Sequence, residues 1–379
     1  MRVGKAAKKQ SGNDTFIEPL HIVLIEEPEA HLHAQVQQVF IKKAYQVLRS
    51  HERLKGSQLN TQMIVSTHSS HIAHELDFTC LRYFRREPAT QKGEIPSATV
   101  VNLSKTFGDD TETSKFATRY IKSTHCDLIF ADAAILVEGS AERMLVPHFI
   151  RHKFPNLDQS YISLLEIGGS HAHRLRPLLE TLGLLSLIVT DLDSIGESSP
   201  GKVFPERGKN YRTGNTTLKE WIPGEKEPGE PRLLDELLDC SEDNKQSDNQ
   251  QIRVAYQCPI KLKYKESTTE EEAIPYTFED SMALSNVELF KSYREPKGLL
   301  QKLIEAFGKD TLSEVSKEMF NSLGSGSKAE MALELLYLTE PRDLEPPAYI
   351  SDGLKWLEDK LAEKKQDFLT TATTEVKND

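Results

Sequence analysis

The sequence is short of cysteine, of long apolar runs and of positive charge. Its four cysteines, Cys80, Cys126, Cys240 and Cys258, lie far apart in no zinc-ligand spacing. This argues against a cysteine-based zinc site and suits a reducing cytoplasm. No apolar run reaches membrane-spanning length, and Met1 to Asn13 is basic and polar without an apolar signal core. The expectation is a soluble, cytoplasmic protein with no membrane partner. Against 58 acidic side chains stand 47 lysines and arginines, a formal net charge of −11. That sign excludes holding nucleic acid by bulk positive charge, so any DNA contact has to come from a local patch or a metal. A phosphate-cradling loop is missing too. It needs G-x-x-x-x-G-K-[ST], and no Gly-Lys pair here (at Gly4, Gly201, Gly208 and Gly308) is followed by Ser or Thr.

What the chain does have is length and pattern. At 379 residues, 38% of them apolar, it has room for about two domains of ~150 residues. After a polar segment over 1–20, His21 to Ile25 is a short apolar run. A helical pattern then runs from Leu32 to Leu48, with Leu32, Val36, Val39 and Phe40 on one face, and Met63 to Val65 reads as a second buried strand. This strand–helix–strand order predicts a parallel sheet. Residues 86–125 are polar and mixed, a linking region with some structure of its own. A second α/β pattern follows: strand Ala133 to Val137, helix Ala141 to Arg151, strand Tyr161 to Ile167, helix Arg174 to Leu182 and strand Leu184 to Val189. The last is apolar enough for a central parallel strand covered on both faces. Residues 194–275 read as an insertion, with 241–251 polar and mobile. Helical patterns return in a part spanning 296–340, and 341–379 reads as a tail.

Two constellations carry chemistry. The first is HIVLIEEPEAHLH, which sets Glu26 and Glu27 directly after an apolar strand, while the second strand ends in Ser66-Thr67-His68. Nucleotide hydrolases need one carboxylate near Mg²⁺ and a neighbour to orient water, and a histidine can reach a γ-phosphate. The spacing resembles ABC-type ATPases of the DNA-repair group. That resemblance implies Glu26 and Glu27 at the Walker B position, His68 as the switch histidine and a dimer-contact loop after Glu27. Glu26 stands where the wider family prefers Asp. The family's phosphate loop lies upstream of this strand, so ATP binding is expected only where a partner supplies that loop. Histidines offer a rival reading, since His31/His33, His68/His71/His74 and His171/His173 are spaced to share faces. Zinc, however, typically adds Cys or a spaced carboxylate, and neither is evident.

The second constellation is a set of acids after two strands. Glu138-Gly139-Ser140-Ala141-Glu142 follows the first, and Gly139 permits a tight turn into a helix that carries Glu142 on its first turn. Thr190-Asp191-Leu192-Asp193 follows the other, and an i, i+2 pair in extended chain points to one side. In an open parallel sheet both sets belong at the carboxyl edge, where ligands bind. Carboxylates converging there repel unless cations intervene, and hard oxygen ligands select Mg²⁺ or Mn²⁺.

This pairing, as ILVEG, then IGG, then IVTDLD, resembles the Toprim domain of topoisomerases, primases and certain nucleases. Together with the ATPase-like half, residues 21–340 look like the C-terminal part of an OLD-family (overcoming lysogenization defect) nuclease. The fold class expected is α/β: a partial ABC unit over 21–125, then a Toprim-type parallel-sheet domain over 126–340 with an added helical subdomain. The resemblance implies two downstream residues. Glu279, in Thr277-Phe278-Glu279, completes a second metal site with help from Thr277, and Lys328 is the catalytic lysine. A haloacid-dehalogenase-type phosphatase also uses Asp-x-Asp, but on its first strand and followed by Thr or Val where Ile195 stands here.

The reading implied is a DNA endonuclease using two Mg²⁺ or Mn²⁺ ions held by Glu138, Glu142, Asp191, Asp193 and Glu279, with Glu138, Asp191 and Lys328 as the catalytic set. Partners would be DNA and either a second copy through the ABC half or an ATPase or helicase chain. The non-enzymatic alternative is an assembly module in a defence or repair complex that binds metal and DNA without cutting. For want of a phosphate loop, the purified chain is expected to show no saturable ATPase activity, and Glu27→Gln to change nothing measurable. Tight ATP binding in equilibrium dialysis would contradict this.

Overall fold

A computed structural model describes residues 20–49, 60–87, 95–106, 111–197, 201–221, 231–265, 267–340 and 342–373. The chain divides into two compact units. One comprises Met1–Arg82, Asn102–Lys105 and Thr118–Phe130; the other comprises Tyr83–Val101, Thr106–Ala117 and Ala131–Asp379. Residues 83–101 and 106–117 thus group with the second unit.

In the first unit β1 (Leu20–Glu26) and β2 (Asn60–Ser66) pair in parallel, with Glu26 opposite Ser66. Between them runs α1 (Ala34–Arg49), and α2 (Ser70–Glu75) follows β2, capped by the Ser69 hydroxyl on the Ile72 amide. The face expected on α1 is not the buried one. Ile41 and Gln37 are buried, whereas Val36 and Val39 are about half exposed. Here α1 lies chiefly against α2. The linking region contains a two-stranded sheet of β3 (Arg82–Glu87) and β4 (Ser97–Asn102), then α3 (Thr111–Thr124).

The second unit is built on β5 (Ala133–Val137), α4 (Ser140–Lys153), α5 (Pro155–Asp158), β6 (Ile162–Glu166), α6 (Arg176–Leu182) and β7 (Leu185–Val189). Next come a short antiparallel pair, β8 (Ser194–Ile195) with β9 (Arg212–Thr213), then α7 (Thr216–Trp221), α8 (Leu234–Leu238) and β10 (Ile252–Ala255). The hairpin β11 (Ile260–Leu262) and β12 (Glu271–Ala273) leads into α9 (Phe278–Ser285), α10 (Val287–Ser292), α11 (Gly298–Ala306), α12 (Leu312–Ser322), α13 (Lys328–Leu338) and α14 (Ala348–Thr373). The main sheet is four-stranded in the order β10-β7-β5-β6, every pairing parallel. Each residue of β5, β7 and β10 is buried. Near-continuous apolar strands of this kind are what a parallel sheet covered on both faces requires.

Two segments depart from expectation. Residues 241–251 are held in place: Asp243–Lys245 forms a turn, and Glu242 accepts from Lys245 Nζ at 2.8 Å and pairs with buried Arg253 of β10. This ion pair offsets the cost of burying an arginine in β10, the edge strand beside β7. The tail expected from 341 is instead α14, packed across β7 and β10. It buries Tyr349, Ile350, Leu354, Leu357 and Leu361 in the core. Gly353 makes the approach possible, because a Cβ there would lie 2.8 Å from Leu187 Cδ1. Leu357→Ala should therefore cost about 2–5 kcal/mol, as for a leucine removed from a packed core. Urea unfolding of the whole chain measures it, and a loss under 1 kcal/mol would mean that α14 is dispensable.

Candidate functional site

The acidic residues of the second constellation gather at the carboxyl end of the sheet. Glu138 follows β5, and its Oε1 accepts from Thr190 Oγ1, from Asn215 Nδ2 at 2.6 Å and from the Asp191 amide at 3.4 Å. Gly139 caps α4, and a Cβ there would sit 3.2 Å from Glu142 Oε2. Glycine thus leaves room for the Glu142 carboxylate, which is only 4% exposed. Asp191, 7% exposed, accepts from Gln257 Nε2 at 2.6 Å. Glu279 is fully buried on the first turn of α9. Its Oε2 accepts from Thr277 Oγ1 at 2.7 Å and pairs with Lys328 Nζ at 2.8 Å.

Asp193 is placed differently from the extended-chain expectation. β7 ends at Val189, and Asp193 adopts a left-handed conformation (φ 47°) that aspartate tolerates better than most residues. The turn is locked by the Gly214 amide on Asp193 O at 2.6 Å. Asp193 borders the cluster instead of sharing the buried side with Asp191, and its charge acts on Glu138 and on the Tyr276 phenol.

The electrostatics follow from burial. Desolvation, then the nearby Glu279 charge, pushes the Glu142 carboxyl up to about 7, against relief from Lys328. Asp191 is raised well above the usual aspartate range by burial and by Glu138, Glu142 and Glu279. Glu138 is raised by burial, while Thr190 and Asn215 pull the other way. Burial works against the charge on Lys328, but Asp191, Glu279 and Glu142 outweigh it and hold the ammonium protonated. Asp280 caps the amides of Tyr276 and Thr277 at 2.7 and 2.8 Å, and burial lifts it to about 6.

In the first unit Glu26 and Glu27 are exposed, and Glu27 is left-handed (φ 40°). His68 Nε2 lies 3.2 Å from Glu27 Oε1, so the two strand ends do meet. The residue that ties them is Glu29, whose Oε1 accepts from Thr67 Oγ1 at 2.8 Å and from the His68 amide at 2.5 Å.

Residues 129–193 match the family described as the overcoming lysogenization defect protein-like Toprim domain, and residues 3–73 match a AAA ATPase domain. The chain is 30% identical over 365 residues to "Endonuclease GajA" of Bacillus cereus (strain HuB5-5), covering 92% of this chain and 50% of that protein. The likeness is to the OLD family. The chain is also 26% identical over 189 residues to "Endonuclease GajA" of Bacillus cereus (strain VD045), covering 50% of this chain and 29% of that one. It therefore spans about half or less of the length of these curated relatives. Among solved structures, the C-terminal region of the Burkholderia pseudomallei OLD protein is 18% identical with a TM-score of 0.35, covering 61% of this chain and 99% of that one.

A Toprim domain of the OLD type implies divalent metal, and the residues fit one by donor chemistry. All the candidates offer hard oxygen, and Glu279 Oε1 is buried with no hydrogen-bond partner. As placed, no three His, Cys, Asp or Glu side chains among the described residues form a ready coordinating group. The positive charge in contact with Glu279 is instead the Lys328 ammonium. Elsewhere in the chain, the His171 and His173 rings stand 6.4 Å apart. Asn215, Gln257, Thr190 and Tyr349 also reach the acidic cluster and were not anticipated. Thr190 alone carried a signal, as the residue before Asp191.

Glu142 has a folded-state pKa above its unfolded value, so it favours the folded state at low pH and loses that contribution as pH rises through about 5 to 7. Without metal, the melting temperature should fall more steeply from pH 5 to pH 8 than a Glu142-independent profile would give. Glu142→Gln should raise stability at pH 8 by about 1–3 kcal/mol and flatten the slope between pH 5 and 8. Melting curves across that range in chelator measure both effects, and an unchanged slope would mean that Glu142 is ionised in the folded chain throughout.

Proposed function

We propose that this chain is the nuclease-bearing part of an OLD protein, an endonuclease that hydrolyses DNA phosphodiester bonds with divalent metal. The observation that carries the reading is the convergence of buried carboxylates and one lysine at the carboxyl edge of a parallel sheet. Glu138, Glu142, Asp191, Asp193 and Glu279, with the Thr277 hydroxyl, would hold two Mg²⁺ or Mn²⁺ ions. Such ions supply an acidified water and withdraw charge from phosphate oxygens.

The chain's own residues have separate tasks. Glu138 and Asp191 hold the ions from adjacent strands, so their spacing is set by the sheet. Asp193, partly exposed at the turn, would add a carboxylate at the rim of the cluster. Lys328 brings a cation among the carboxylates without being able to ligate metal, which suits it to meet negative charge growing on a phosphate. Its side chain is 42% exposed although its ammonium contacts a fully buried carboxylate, so it spans from solvent to the cluster. With a net charge of −11, grip on DNA falls to the ions and to such local cations.

In the ATPase-like half, Glu26, Glu27 and His68 would serve ATP only alongside a phosphate loop from another chain or segment, through a second copy or a partner ATPase or helicase. We assign the protein to the cytoplasm. Among the described residues, no helix is long and apolar enough to cross a membrane.

Nicking of supercoiled plasmid with Mn²⁺ tests the reading. Asp191→Ala and Glu138→Ala should each abolish it while leaving the fold intact. Lys328→Ala should lower the single-turnover rate by about 10²–10³ with the half-maximal Mn²⁺ concentration nearly unchanged. Lys328→Arg should recover little, because a broad guanidinium does not replace a compact ammonium on a flexible stem. Parental rates in the aspartate and glutamate variants would remove this sheet edge from the chemistry.

A further inference from the structure

Two amide side chains at the acidic cluster are fully buried, Asn215 and Gln257. They come from separate segments of the 194–275 insertion, yet their hydrogen bonds are allotted in the same way. Gln257 Oε1 accepts from the Leu192 amide at 2.7 Å, and Asn215 Oδ1 accepts from the Leu218 amide at 3.1 Å. Each carbonyl oxygen is thereby committed to a backbone N–H, which leaves each NH₂ one direction to face. Gln257 Nε2 donates to Asp191 Oδ1 at 2.6 Å and reaches Tyr349 Oη at 3.3 Å. Asn215 Nδ2 donates to Glu138 Oε1 at 2.6 Å and to Thr190 Oγ1 at 2.9 Å. Reversing either amide would set oxygen against carboxylate and NH₂ against N–H, losing both bonds at a buried site.

We infer that Asn215 and Gln257 are positioning residues that fix the Glu138 and Asp191 carboxylates for divalent-cation binding. The inference rests on the nuclease reading and extends it to residues outside the acidic motifs. An NH₂ group can only donate, so it favours the acceptor state of the carboxylate it touches. By holding one named oxygen, it also stops the group from rotating away from its like-charged neighbours. The second oxygen is left for the cation. The insertion therefore serves the site directly: Asn215 stands just before α7, and Gln257 stands two residues beyond β10, the strand beside β7. Outer contacts of this kind typically change metal affinity by about 10- to 100-fold.

The test uses the full chain and Mn²⁺ alone, titrated by calorimetry, with plasmid nicking as a second readout. Asn215→Ser keeps an acceptor for the Leu218 amide and removes the donor to Glu138, while Gln257→Met keeps volume and removes the donor to Asp191. Each should weaken Mn²⁺ binding about 10- to 100-fold. Each should raise the Mn²⁺ midpoint of nicking by a similar factor, while the rate at saturating Mn²⁺ falls by less. A merely structural role would lower the metal-free melting temperature and the saturated rate together at an unchanged midpoint, and that result overturns the inference. If Gln257→Met does not fold, Asn215→Ser decides alone. Parental Mn²⁺ affinity in the folded variants overturns the inference and leaves the nuclease reading standing. A parent chain that neither binds Mn²⁺ nor nicks overturns both.

Discussion

Carboxylates gathered out of water repel one another, and the second unit of this protein is organised around that cost. Glu142, Asp191 and Glu279 are nearly or wholly buried and share one ammonium, Lys328. An isolated buried carboxylate either takes a proton or finds a counter-charge. The raised positions of Glu138, Glu142 and Asp191 show the first tendency, and the Lys328–Glu279 contact at 2.8 Å shows the second. A site left in that condition is poised to gain from a divalent cation, because binding relieves what folding imposed. Structural ion pairs are usually worth little or cost stability when buried, so this cluster is poorly explained as scaffolding.

Holding such a cluster requires a frame that cannot yield. β5 and β7 lie adjacent, parallel and buried along their length, which sets Glu138 and Asp191 at neighbouring strand ends. The N-terminus of α4 brings Glu142 down beside Glu138, and α9 brings Glu279, its first turn secured by Asp280 on the amides of Tyr276 and Thr277. α13 delivers Lys328 while packing against α4. Behind the sheet α14 covers β7 and β10 and contributes Tyr349, whose hydroxyl lies 3.3 Å from Gln257. The same helix thus fills the core and backs the site.

Much of this was legible because it is local. The Ala133–Val137 and Leu185–Val189 strands carry their burial in unbroken apolar runs, and the acids follow them within a few residues, so strand, turn and ligand candidates appear together. What stayed hidden is what folding brings from far along the chain. Asn215 meets Glu138 across 77 positions, and Gln257 meets Asp191 across 66. A lone Asn or Gln carries no mark of burial, and β10 is a four-residue strand interrupted by Arg253, whose charge is masked only once Glu242 pairs with it. α14 is the reverse case. Ile350, Leu354, Leu357 and Leu361 recur at helical spacing, a usable signal outweighed by the charged residues between them. The Asp193 turn illustrates the limit of strand logic, since i, i+2 alternation holds only while the chain stays extended and β7 stops at Val189.

The two acidic sites differ in a way that separates their chemistry. Glu27 and His68 meet in the open, their side chains 51% and 81% exposed. Water screens such groups, so little energy is stored in their arrangement. The one carboxylate there with a committed role is Glu29, which holds the Thr67 hydroxyl and the His68 amide and so fixes the second strand end relative to the first. That arrangement sets geometry without preparing charge. The Toprim cluster carries its own field: desolvated acids, amides whose donors have one direction to face, and a lysine held protonated. Charge is thus prepared by burial in one unit and left to solvent in the other.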